Sequence, residues 1–275
     1  MSPADRGMDL VEVGETTLAV EDGGAGEPVV LVQTALTADE LLPLGLALRQ
    51  RGYRVLRYHR RGYGSSGPAR DPGSIAADAR DCADLMSAVG LGRAHVVSVS
   101  YGAAVALELA ARRPDLVATT TAIEPPPTLL DDPGGFVAAN EALLARYRSA
   151  GASAALDSFL TRLVGTGWRA EMERLLPGSV ARMERDAATF FGGDVPALLG
   201  WTFGDADAAA VGSPLLYVGG TLSGPWFAAV RRRMLAWFPD ASDVVVDGAD
   251  HNLVLTHAED VAEAVDGFLQ RHPCR

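Results

Sequence analysis

The chain has 275 residues, 48% of them hydrophobic, enough to bury the core of one large α/β domain with an inserted subdomain. A formal net charge of −11 offers no basic face to nucleic acid or to an anionic membrane, so neither is an expected partner. No apolar run approaches the roughly 20 residues that span a bilayer, and MSPADRGMDLVEV has no basic start leading into an apolar stretch, so no secretory signal is expected. Cys82 and Cys274 are the only cysteines and lie far apart; a reducing cytoplasm is the simplest compartment and no metal is expected.

Leu10–Val13 and Thr17–Asp22 are predicted to form a hairpin about Gly14-Glu15, followed by a loop at Gly23–Gly26. Val29–Val32 is a continuous apolar run, as in a strand covered on both faces. A broad leucine face predicts a helix over Ala38–Arg51, then a strand at Arg54–Tyr58 and a glycine-rich loop over Arg60–Pro68. Next come a helix (Ile75–Val89), a strand (Ala94–Val99), a helix to Arg113 and a strand (Val117–Ile123). Such alternation implies βαβ units and a mostly parallel sheet with flanking helices, an α/β fold.

From Pro125 the pattern changes. Residues 128–210 contain no convincing strand, and Phe136–Ala150, Ala152–Val164, Ala170–Leu176 and Ser179–Phe191 read as helices. A stretch this long is no plain crossover, so 127–207 is expected to be a helical lid over the sheet's carboxyl edge, with 1–126 and 208–275 as the core. The sheet resumes at Pro214–Val218, followed by a helix (Pro225–Trp237), a strand (Asp243–Val246), a loop (Asp247–Asn252) and a closing helix (Ala258–Arg271).

The segment AHVVSVSYGAAVALEL, residues 94–109, carries the most chemistry. A β-branched run meets Ser100 and Gly102 and turns at once into a helical pattern, which strains the residue at the turn and pushes its side chain outward. With Arg60-Arg61-Gly62-Tyr63-Gly64-Ser65-Ser66, Ile123-Glu124-Pro125-Pro126 and Gly248-Ala249-Asp250-His251, it makes four short motifs, each between the elements it should join. In that order the chain resembles the α/β-hydrolase fold superfamily over nearly its whole length.

The resemblance implies roles. Ser98-Val99-Ser100-Tyr101-Gly102 matches the nucleophile elbow, with Ser98 in place of its first glycine, so Ser100 would be the nucleophile. His251, in the loop after the last strand, would be the general base that takes the serine proton. The family's acid usually follows the strand before, but there the chain has Ser223. Glu124 is the substitute: adjacent strands lie only about 4.8 Å apart, and Pro125 fixes its direction. A subgroup of the related haloalkane dehalogenases likewise takes its acid from the end of this strand. Asp205, Asp207 and Asp247 stay open as other acids, while Asp250 is expected to diverge from its neighbour His251.

Where the family writes His-Gly after the first central strand, the chain has Gln33-Thr34-Ala35. The backbone N–H groups of Ala35 and Tyr101 would form the oxyanion hole, with Gln33 or Thr34 offering side-chain donors. His59 is expected to pin the loop that follows it. Trp226, with Tyr101, Trp168, Trp201 and Phe203, is a candidate for an aromatic substrate pocket, helix aromatics being core residues otherwise. The implied function is a serine hydrolase on a small, mostly apolar ester, lactone or thioester, with no cofactor. A cyclase or C–C bond-cleaving enzyme and a non-catalytic ligand-binding protein are the alternatives.

Overall fold

Val29, Leu31, Val97, Val99, Leu216 and Val218 pack on one face of the central sheet, while Val30, Val32, Val96, Ala122 and Tyr217 pack on the other. Strand residues alternate between faces, so these near-continuous apolar runs mark a sheet covered on both sides. The computed structural model describes residues 7–274. The part of the secretory-signal reading that rests on residues 1–6 lies outside the described residues.

Among the described residues the sheet has eight strands, numbered in chain order and arranged β1-β2-β4-β3-β5-β6-β7-β8. The hairpin β1 (Asp9–Val13) and β2 (Thr16–Gly23) pairs antiparallel with β4 (Arg54–Tyr58). The other pairings are parallel, through β3 (Pro28–Val32), β5 (Ala94–Val99), β6 (Val117–Ile123), β7 (Leu215–Gly220) and β8 (Ser242–Val246). Helices α1 (Leu42–Gln50), α10 (Leu253–Thr256) and α11 (Ala258–Arg271) cover one face; α2 (Ile75–Ala88), α3 (Tyr101–Arg112) and α9 (Pro225–Trp237) cover the other. Helix α1 starts at Leu42 and not at Ala38, because Pro43 suits only the first turn of a helix.

The segment between β6 and β7 is helical. Its longest element, α4 (Gly134–Val164), breaks at Gly151, whose φ of 83° and ψ of 178° are non-helical and separate the two helices expected there. After α5 (Trp168–Leu175) and α6 (Ser179–Thr189) comes one π-helical turn, Phe190–Asp194, which runs into α7 (Val195–Gly200). Polar contacts tie this segment to the glycine-rich loop and to the loop after β3: Thr189 Oγ1 donates to Gly62 O at 2.9 Å, Asp194 receives both terminal nitrogens of Arg60, and Arg182 Nε stands 3.2 Å from Asp39 Oδ2. Helix α8 (Asp205–Ala210) straddles residue 207 and packs on α3, where Arg112 donates to Asp207 at 3.0 Å. No helix among the described residues is long and apolar enough to cross a membrane.

Candidate active site

Ser100 stands between the end of β5 and the first residue of α3 with φ 53° and ψ −118°, a conformation that non-glycine residues rarely adopt. Its N–H donates to Ile123 O at 2.9 Å, which holds the elbow against β6. Small neighbours are obligatory. A Cβ on Gly102 would lie 2.4 Å from Val32 O and 2.7 Å from Gln33 O. Ser98 is fully buried and donates its hydroxyl to Thr121 O at 2.8 Å, so serine replaces the first elbow glycine at no polar cost.

Glu124 continues β6 by one residue, its N–H donating to Val218 O at 2.9 Å, and its φ of 44° is also in the left-handed region. The side chain is completely buried. One carboxylate oxygen accepts from the Gly220 N–H at 2.9 Å; the other stands 2.6 Å from Nδ1 of His251. Nε2 of the same imidazole lies 3.2 Å from Ser100 Oγ. A carboxylate at Nδ1 assigns the proton of neutral His251 to that nitrogen and leaves Nε2 free to accept from the serine hydroxyl. Phe227 stacks on the imidazole, with ring centroids 4.2 Å apart.

The His251 loop comes this close because Gly220 has no side chain: a Cβ there would meet Ala249 O at 2.2 Å. Asp250 turns away and accepts from the Asn252 N–H at 2.9 Å. Asp205 and Asp207 bond Trp237 and Arg112, and Asp247 bonds Thr221, so none of the three is brought to His251. Ser223 Oγ is buried and has no partner among the described residues.

A cavity of about 110 Å³ opens beside Ser100 and His251. Ala35 and Thr34 line it together with Tyr101, whose backbone N–H, as the first of α3, lies outside the helical ladder. Arg60 shapes this end of the cavity. Its guanidinium lies 4.1 Å from the centre of the Tyr101 ring, donates to Thr34 O at 3.1 Å, and bridges Asp78 (2.8 Å) and Asp194 (2.7 Å). Tyr63 donates to Asp194 at 2.5 Å and accepts from the N–H of Leu36, whose φ of 69° marks a strained bend in the loop after β3. Burial raises the Asp78 carboxyl, and nearby Asp194 adds to the rise against the pull of Arg60. Burial, and then the charge of Asp78, likewise raises the Tyr101 phenol.

Two residues expected at the substrate lie elsewhere. Gln33 is buried outside the cavity lining, its side-chain carbonyl accepting from the Arg60 N–H at 2.8 Å, because that buried donor needs a partner. Trp226 packs edge-on against Phe136 at 5.6 Å, and its neighbour Phe227 faces the cavity instead, one residue turning a helical side chain by about 100°. Trp168, Trp201 and Phe203 are also absent from the lining; the two indoles donate to Asp157 and Glu108. His59 bonds Asp39 at 2.9 Å beneath the glycine-rich loop. There burial alone would raise Asp39, but His59 and then Arg57 hold it at about 2.

Sequence reasoning missed Phe136, Phe159, Phe190 and Glu40 in the lining. The phenylalanines converge only through the kink and the π-turn, and Glu40 sits where a plain first helical turn was expected. At the opposite sheet edge, by the amino ends of β3 and β5, Glu27, His95 and Cys274 bring donor atoms within 4.8 Å of one another. Their separation along the chain hides that grouping.

A family model of the alpha/beta hydrolase fold matches residues 28–258. The chain belongs to the alpha/beta hydrolase fold family. A curated relative of this alpha/beta hydrolase, named as a proposed carbamate hydrolase (RutD) of Azorhizobium caulinodans, is 34% identical over 117 residues. That match covers 42% of this chain and 44% of the relative, so the chain matches less than half of the relative's length. Among solved structures, a thermophilic esterase from Thermogutta terrifontis superimposes with a TM-score of 0.80 at 20% identity, covering 97% of this chain and 99% of that one. An enol-lactonase from Burkholderia xenovorans LB400 gives 0.79 at 21% identity, covering 95% and 100%. At such identities these likenesses speak for the fold.

Proposed function

We propose that the chain is a serine hydrolase that cleaves a small, mostly apolar carboxylic ester, lactone or thioester, with Ser100, His251 and Glu124 as its triad. The observation that carries this reading is the unbroken relay from Ser100 Oγ through His251 Nε2 and Nδ1 to the buried Glu124 carboxylate, at 3.2 and 2.6 Å. His251 takes the hydroxyl proton as Ser100 attacks the carbonyl carbon, then gives it to the leaving oxygen or sulfur. Water, activated by the same imidazole, hydrolyses the acyl-serine and regenerates the enzyme. Glu124 fixes the imidazole tautomer and balances the imidazolium charge, while the N–H groups of Ala35 and Tyr101 receive the developing oxyanion.

Residues 127–207 act as a lid over this cavity, with 1–126 and 208–275 as the core. The only partner in this reading is the small-molecule substrate, and the setting is the cytoplasm, in keeping with two unpaired cysteines. The continuous relay favours hydrolysis over mere ligand binding. The names of the relatives add lactones and carbamates to the esters worth assaying. The test is labelling with a fluorophosphonate, read by intact mass. One adduct that Ser100→Ala abolishes is expected; a chain that takes up apolar ligands and never labels overturns the reading.

A further inference from the structure

The apolar cavity contains an acid that neither the hydrolytic relay nor an ion pair uses. Glu40 lines it beside Thr34, and its Oε1 atom is buried with no hydrogen-bond partner among the described residues. No lysine or arginine is among the lining residues, and the other lining carboxylate, Asp194, is engaged by Arg60 and Tyr63. Burial raises the Glu40 carboxyl well above the ordinary glutamate range, opposed only by the Thr34 hydroxyl. With no lysine or arginine in the lining to support ionisation, burial favours the neutral form. A neutral carboxyl has an O–H to give as well as an oxygen that accepts.

Thr34 stands where the family has glycine, and its place against Glu40 gives that departure a purpose. The pair occupies the oxyanion-loop side of the cavity, next to Ala35. We infer that Glu40 and Thr34 form a polar subsite for a neutral oxygen on the acyl part of the substrate, such as a ketone, hydroxyl or amide carbonyl. This deepens the hydrolase reading and rests on it. An anionic acyl chain is rejected because nothing cationic lines the cavity. A purely apolar chain leaves the buried carboxyl unsatisfied, which sites built around a polar group penalise.

The test compares kcat/KM for four 4-nitrophenyl esters: pentanoate, 4-oxopentanoate, the monosuccinate and 4-trimethylammoniobutanoate. The wild-type protein is expected to favour 4-oxopentanoate over pentanoate at least tenfold and to be poorest on the monosuccinate. Glu40→Gln, which keeps a neutral hydrogen-bonding group of the same shape, retains that ratio; Glu40→Leu brings it to about one. A wild-type ratio near one in protein that labels at Ser100 overturns the subsite and leaves the hydrolase reading intact. A preference for the monosuccinate, or for the cationic 4-trimethylammoniobutanoate ester, overturns the neutral-oxygen assignment. Absence of both labelling and turnover overturns the two readings together.

Discussion

Glu124 meets Nδ1 of His251 at 2.6 Å from the end of β6, one strand short of the loop where the family usually carries its acid. Two features allow the exchange. Strands lie only about 4.8 Å apart, and glutamate is one methylene longer than aspartate. Gly220, at the end of β7, then donates its N–H to the second carboxylate oxygen, so the neighbouring strand still orients the acid.

Replacing Glu124 by Gln removes the charge and permits the wrong tautomer. A fall in kcat of about 10³–10⁴-fold is expected, from the known cost of that change in a triad. Ser223, whose Oγ is buried and has no partner among the described residues, stands beyond β7 at the family's usual place for the acid. Adding Ser223→Asp to Glu124→Gln is therefore expected to recover at least tenfold of the loss in kcat. Near-wild-type turnover by Glu124→Gln alone rules out Glu124 as the triad acid.

Gly102 packs where no side chain fits, its missing Cβ facing the carbonyl oxygens of Val32 and Gln33. Gly102→Ala pushes the elbow and the loop after β3 apart together. Labelling at Ser100 is expected to slow by more than tenfold, with a loss of about 1–3 kcal/mol typical of overpacking. Timed labelling and urea denaturation measure the two effects; unchanged labelling contradicts the close approach.

The order of strands and helices along the chain, the elbow, the histidine loop and the approach of Glu124 to His251 were legible in the sequence, since each depends on a short local pattern. The elbow needs a small residue on either side of Ser100, and Pro125 advertises the bend at Glu124. What was not legible depends on packing between distant segments. Gln33 opens the loop after β3, yet Arg60 claims its side chain. Trp226 and Phe227 share one helix end, and only the placement of α9 decides which ring meets His251. The lining phenylalanines depend on a π-turn at Phe190–Asp194, which has no periodic signature, as well as on the break at Gly151, which coincides with the helix boundary expected there.

Arg60 is the single cation between Asp78 and Asp194, all three largely buried. Arg60→Met leaves two carboxylates facing each other and frees the Thr34 carbonyl. A loss of about 3–5 kcal/mol is expected, the usual result of stripping one partner from a buried ion pair. Adding Asp194→Leu removes one stranded charge and is expected to regain part of that stability. Chemical denaturation of the two variants decides it, and a double variant less stable than Arg60→Met shows that Asp194 is not the stranded charge.

Glu40 supplies a pH signature separate from catalysis. Its folded carboxyl is raised, first by burial, above the value of 4.5 expected in the unfolded chain. The folded state therefore binds the proton more tightly, and stability falls as pH rises above that value, because the unfolded chain gives the proton up first. Glu40→Gln cannot ionise and escapes this loss. Its midpoint of thermal unfolding is expected to match that of the wild type near pH 4 and to exceed it increasingly toward pH 8. Parallel curves across that range show that Glu40 ionises in the folded protein as freely as in the unfolded chain, which removes the neutral carboxyl from the cavity.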